Sequence, residues 1–171
     1  MNAQGTSPPA AIRQSVTVPA PFEVAFAAFT DGIHAWWPRE LTWSGELLHR
    51  VAIEPRPGGF CYEIGAGGMR HDWGRVSTWQ PPDRFAFAWL IRPDRLPEPN
   101  PAHASDVTVT FRRAGSGTRV TVFHDGWERH GAGGADYRRQ FAEGQAWPRM
   151  LEAYAAVVAT RDEAPWTGLT T

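Results

Sequence analysis

Cysteine is nearly missing from this chain of 171 residues, where Cys61 stands alone. An internal disulfide is thereby excluded, and no Cys and His cluster has zinc spacing. Lysine is missing altogether: all 17 basic residues are Arg. Any anion site would therefore be built on the fixed, forked guanidinium. Net charge is small, −1 at neutral pH, so no global field favours nucleic acid or an anionic membrane. No apolar run approaches the roughly 20 residues that a bilayer-spanning helix needs. The opening stretch, MNAQGTSPPAAIRQ, lacks the basic start and apolar core of a secretory leader, and cytoplasm is the expected compartment. Gly58-Gly59 and the run Gly65–Gly68 lack the helix and Lys that a phosphate loop needs, and read as strand turns.

Tryptophan is in excess, with nine in the chain. Burying that many large rings demands a generous core or an aromatic-lined cavity. The length suits one domain.

Residues 1–14 are polar and rich in Pro and Ala, and read as a loose tail. Ser15 to Val18 alternates as a short strand does. Pro21 then opens a helix over about 21–30, with Phe22, Ala25, Phe26 and Phe29 at helical spacing. Strands follow over 48–53, 60–64, 69–79 and 84–91, separated by Pro- and Gly-rich turns. In the last of these, Phe85, Phe87, Trp89 and Ile91 face Ala86 and Ala88 across the pleat. Residues 92–104 carry too many prolines for a central strand and form a long loop. A hairpin over 105–124 turns at Gly115-Ser116-Gly117. A helix from near Tyr137 or Gln140 to about Thr160 carries Trp147, Met150, Leu151, Tyr154 and Val158 on one stripe. Pro148 either starts its main segment or kinks it. The residues from 161 onward read as a second tail.

This order implies an α+β domain over 15–160. A curved antiparallel sheet of six to seven strands wraps the long C-terminal helix, with short helices after the first strand. A twisted sheet meets one straight helix poorly along its whole length. The mismatch is expected to leave a hollow, ring-lined space.

Five stretches carry a resemblance: VPAPFEVAFAAFTDGIHAWWP, IEPRPGGFCYEI, HDWGRVSTWQPPDRFAFAW, SDVTVTFRRAGSGTRVTVFHDGW and GQAWPRMLEAY. In this order they resemble the bacterial domains similar to the C-terminal domain of the activator of the heat-shock-protein-90 ATPase. That family lies within the START and birch-pollen-allergen-like (SRPBCC) superfamily, and the likeness covers about residues 15–160. It implies a helix-grip fold without a cofactor. Its members bind hydrophobic ligands, sequester reactive natural products, cyclise polyketides or contact chaperones. The chaperone regulator has a further N-terminal domain for which this chain has no room, so chaperone activation does not carry over.

On that fold the candidate ligand contacts are aromatic. Trp36 and Trp37 sit at the mouth of the grip, one as a plug and the other as a wall. Tyr62, Phe87, Trp89 and Trp127 are expected to face the space from the sheet and its last loop. Trp147, Leu151 and Tyr154 face it from the helix. Strict alternation places His71, Trp73 and Arg75 on one face and Asp72 on the other. Inside the cavity His71 and Arg75 would orient a carboxylate, phenol or carbonyl. No nucleophile or metal partner accompanies His71, so no catalytic residue is assigned. Three functions remain open. The first is a binder of an apolar or aromatic small molecule. The second is an enzyme of the polyketide cyclase or hydrolase kind, using His71 and Arg75. The third is a protein-interaction or stress-related module using the Pro-rich loop, with a homodimer as its simplest form.

Overall fold

The computed structural model describes residues 7–161. The chain runs β1 (Ile12–Val18), α1 (Phe22–Thr30), α2 (Ile33–Trp36), β2 (Arg50–Ile53), β3 (Phe60–Ile64), β4 (Arg70–Gln80), β5 (Arg84–Trp89), β6 (Ser105–Ala114), β7 (Gly117–Asp125), α3 (Gly134–Glu143) and α4 (Ala146–Arg161). The seven strands form one antiparallel sheet in the order β1-β7-β6-β5-β4-β3-β2. The meander over β2 to β7 follows from short turns between consecutive strands, and β1 closes it by pairing with β7.

Alternation sorts the strands as expected. In β6 Val107, Val109 and Phe111 are fully buried, and Val120 and Val122 match them on β7. They meet the stripe Trp147, Met150, Leu151, Tyr154 and Val158 of α4, all buried, together with Phe26 and Phe29 of α1. Burying each such side chain contributes about 1.5–3 kcal/mol.

Three departures from the sequence reading bear on the site. The first strand starts at Ile12, not at Ser15, because Ile12 pairs with His124 and Arg13 with Phe123. Arg13 is exposed there and Gln14 is half-buried on the side of Ile12 and Val16, so the polarity of both hid the strand. The C-terminal helix is two helices, α3 and α4, broken at Gly144-Gln145, where Gln145 takes φ 54°. Pro148 therefore sits in the first turn of α4, where its missing N–H leaves no bond unmade. The expected tail at 162–171, like residues 1–6, lies outside the described residues.

The third difference lies in β4. Cys61 pairs with Gly74 and Tyr62 with Asp72, so Trp73 is an extra residue opposite no partner. This β-bulge breaks the alternation. Trp73 is buried, while Arg75 turns to the convex face and lies over the Phe60 ring at 4.3 Å. Gly74 follows the inward direction, and a Cβ there would come within 2.9 Å of the Cys61 Cβ. Trp73 and Arg75 thus do not share a face.

Candidate functional site

The space between sheet and α4 is filled with rings rather than left hollow. Trp37 stacks on Trp73 at 4.6 Å with 24° between the planes. Trp73 meets Trp89 at 6.1 Å and Phe87 edge-on at 5.7 Å. Trp89 in turn meets Trp147 edge-on at 5.9 Å. Deeper in, Trp36 packs on Phe29 at 4.7 Å and on Tyr154 at 5.6 Å. The polar ends of this core are tied to backbone: Trp36 Nε1 donates to Ala28 O at 3.1 Å, and Tyr154 Oη donates to Ala25 O at 2.8 Å. Burial pushes the Tyr154 hydroxyl well above its ordinary pKa.

Open volume lies at the mouth. A cleft of about 330 Å³ is bounded by Leu41, Trp89, Ile91, Pro93, Arg95, Tyr137, Gln140, Phe141, Gly144, Ala146, Arg149 and Met150. Trp89 is its floor and α3 its lid. Phe141 meets Trp89 edge-on at 5.5 Å. Tyr137 accepts from Trp89 Nε1 at 3.0 Å and donates to Ile91 O at 3.0 Å, so one hydroxyl pins lid to floor. Burial raises its pKa to about 12, which keeps it a neutral donor. The rim carries two cations. Arg149 pairs with Glu40 at 2.7 Å, and Arg95 donates to Leu41 O at 3.3 Å. Trp43 Nε1 donates to Arg95 O at 2.6 Å and so fixes the start of the long loop. That segment is held from below by buried Glu63, which accepts from the Ser44 N–H and hydroxyl at 2.7 Å each and from the Trp43 N–H at 3.2 Å.

A second cleft, of about 500 Å³, lies across the same loop and is polar, lined by Arg92, Asp94, Glu98, His103, Arg129 and His130 among others. Behind it runs a chain of hydrogen bonds. Trp147 Nε1 donates to His124 Nδ1 at 3.1 Å. Because an indole N–H only donates, His124 carries its proton on Nε2 and gives it to Ser105 Oγ, 2.8 Å away. Ser105 Oγ then donates to His130 Nε2 at 2.9 Å, joined by the Ser105 N–H at 3.2 Å. Desolvation holds the His124 pKa well below 6.5, and burial lowers that of His130 against the pull of Glu98.

The candidate residues thus fall into distinct places. Trp37, Trp73, Phe87, Trp89 and Trp147 form one connected ring system beneath the mouth, and Trp36, Leu151 and Tyr154 lie deeper in the core. Trp127 is fully buried under α3, its Nε1 donating to His124 O at 3.0 Å, and it supports the lid. Tyr62 and Arg75 are on the convex face, away from the interior, where Arg70 covers the Tyr62 ring at 4.0 Å. His71 is half-buried against Trp43 at 5.8 Å and does not meet Arg75. Cys61 is buried, and desolvation pushes its thiol far above the reactive range. Among the described residues no three His, Cys, Asp or Glu side chains gather to hold a metal ion, and no helix is long and apolar enough to cross a membrane. The lid residues Tyr137 and Phe141 went unassigned in the sequence, although their spacing of four marks one helix face.

Known proteins match this geometry. The family model of activator of Hsp90 ATPase homolog 1-like proteins matches residues 19–159. An anthrahydroquino-gamma-pyrone synthase, Txn09, solved as a complex, is 34% identical over 88% of this chain and 97% of its own, with TM-score 0.62. The self-sacrificing resistance protein CalC from Micromonospora echinospora is 29% identical over 91% of this chain and 96% of its own, with TM-score 0.61. A protein of Nitrosomonas europaea shares the fold at 15% identity, covering 88% of this chain and 95% of its own, with TM-score 0.63. No curated protein sequence matches. From residue 19 to residue 159 the chain belongs to the activator of Hsp90 ATPase homolog 1-like family, within the SRPBCC superfamily.

Proposed function

We propose that this protein binds a flat, largely apolar small molecule at the mouth of the grip, between the Trp89 floor and the α3 lid. The observation that carries this reading is the cleft itself: about 330 Å³, apolar on most sides, and opening onto a continuous ring system. That volume is at the lower end for ligand sites and suits two or three fused rings. Rigid indoles give large contact area at little entropic cost. Arg95 and Arg149 at the rim favour a ligand with an acidic or strongly polar edge facing solvent.

Thermal unfolding with a library of aromatic compounds tests the proposal. A compound held at 100 times its dissociation constant should add about 2.7 kcal/mol of stability and quench Trp fluorescence. Trp89→Ala should abolish both effects. A library that leaves melting and fluorescence unmoved would overturn the proposal.

The identity with a gamma-pyrone synthase favours one further reading, ring closure of a polyketide-like substrate in the same cleft. Arg75 has no part in it, being on the convex face. The acid–base candidates near the mouth are His71 and the Tyr137 hydroxyl. Turnover that persists unchanged in both His71→Ala and Tyr137→Phe would remove them from that role.

A further inference from the structure

Arg138, Phe141 and Ala142, spaced three and four apart, form one face of α3. That face bounds a third cleft, of about 360 Å³, between β1 and the start of α4. Phe141 alone lines both this cleft and the one at the mouth, so the two are separate spaces on either side of its ring. The floor is apolar: Ile12, Phe141, Ala142, Trp147 and Pro148. The polar side chains around it are Arg13, Gln14 and Arg138, with no carboxylate among them. At the clefts described above, cations are tied to acids: Arg149 to Glu40, Arg92 to Asp94 and Arg129 to Asp106. Arg138 has no ion pair among the described residues. Its Nε donates to Ala10 O at 2.9 Å, which lays the guanidinium along the start of the first strand and leaves both Nη groups without a protein acceptor there. The half-buried Gln14 amide, on the same side of the strand as Ile12, likewise has no partner among the described residues, and neither has the exposed Arg13.

We propose that this cleft is a second binding site, which takes a small organic acid with its apolar body on the floor and its carboxylate on Arg138 and the Gln14 amide. The free Nη groups of a guanidinium form a planar fork that matches a carboxylate. Arg13 adds a second positive charge from the outer side of the strand. The volume is at the lower end for ligand sites and suits a bicyclic or short-chain acid. An inorganic anion gains nothing from the apolar floor, and a neutral ring gains nothing from the fork, so the class is an acid with an apolar body. This site does not depend on the mouth cleft: apart from the shared Phe141 ring, its residues are its own.

Calorimetric titration with 2-naphthoate, 2-naphthamide and inorganic phosphate tests this. The first two are alike in shape and differ in charge, and the third has charge without an apolar body. Because the mouth cleft also accepts acidic rings, the readout is the component of naphthoate binding that depends on the third cleft. Arg138→Gln should weaken that component about tenfold, the worth of one charge-assisted pair of hydrogen bonds. Ala142→Phe, which fills the cleft without touching its charge, should abolish it. Arg13→Gln, which breaks no contact among the described residues, should weaken it about two- to threefold, and Arg149→Gln at the mouth should leave it unchanged. Naphthamide and phosphate should each bind there at least tenfold more weakly. Naphthoate binding untouched by both Arg138→Gln and Ala142→Phe, or absent from the native protein, would overturn the second site. In the first of these cases the mouth-cleft reading stands. Phosphate or naphthamide bound as tightly as naphthoate in the third cleft would overturn the ligand class.

Discussion

At the residue scale the telling feature is the use of fixed donors to hold imidazoles neutral. The Trp147 indole occupies the only acceptor of His124, and the Ser105 N–H and hydroxyl occupy that of His130. Protonating either ring would place N–H against N–H. The unfolded chain has no such constraint, and its histidines titrate near 6.5. Below that pH the unfolded state binds more protons than the folded one. Stability is therefore complete above about pH 6.5 and falls as pH drops, toward the lowered folded values. For His124 alone the slope reaches about 1.4 kcal/mol per pH unit. Melting temperature measured from pH 7.5 to 5.0 should decline accordingly, and His124→Gln, which keeps hydrogen bonding without titrating, should flatten the profile. A melting temperature that rises on acidification would contradict this tautomer chain.

At the element scale, α3 is a lid held chiefly through two rings, Tyr137 and Phe141. Its residues Tyr137 and Phe141 reach the floor, and Tyr137 Oη alone satisfies two groups there. Tyr137→Phe leaves Trp89 Nε1 and Ile91 O without that partner, and should cost about 1–3 kcal/mol. Hydrogen exchange followed by mass spectrometry should show faster exchange over 134–143 with α4 little changed; equal loss in both helices would mean that α3 is not a separate unit. The hinge is Gln145, which ends α3 through its N–H to Ala142 O at 3.1 Å and starts α4 by accepting from the Arg149 N–H at 3.0 Å. Its left-handed backbone favours glycine. Gln145→Gly should raise stability by about 0.5–1 kcal/mol in chemical denaturation, and a loss would show that the side chain itself holds the hinge.

At the scale of the whole molecule, one ring-filled core joins all seven strands to α1 and α4, and the two sheet faces have unequal weight. Phe85 lies fully buried among Phe26, Phe29, Trp79 and Phe87. Phe85→Ala should cost about 3–5 kcal/mol. Arg75→Ala on the convex face removes a cation–π contact worth under about 1 kcal/mol. Parallel urea titrations would reverse this assignment of faces if the Arg75 variant proved the weaker.

What the sequence alone determined was the order of elements and the buried stripe of α4. Both depend on local periodicity: period two in β6 and β7, and 3.6 from Trp147 to Val158. The family, too, was legible in five stretches of chain. Tertiary structure decided which side chains share a face and where space remains. The bulge at Trp73 arises from pairing with β3, an earlier strand, and it parted Arg75 from the interior, while Tyr62 faces outward because Cys61 and Glu63 take the inner face of β3. The break at Gln145 depends on α3 folding down onto Trp89, a contact across more than forty residues. A chain segment encodes its own period, but closure of the hollow by Trp37 and Trp73 is a property of rings brought together from distant strands and turns, and only packing settles it.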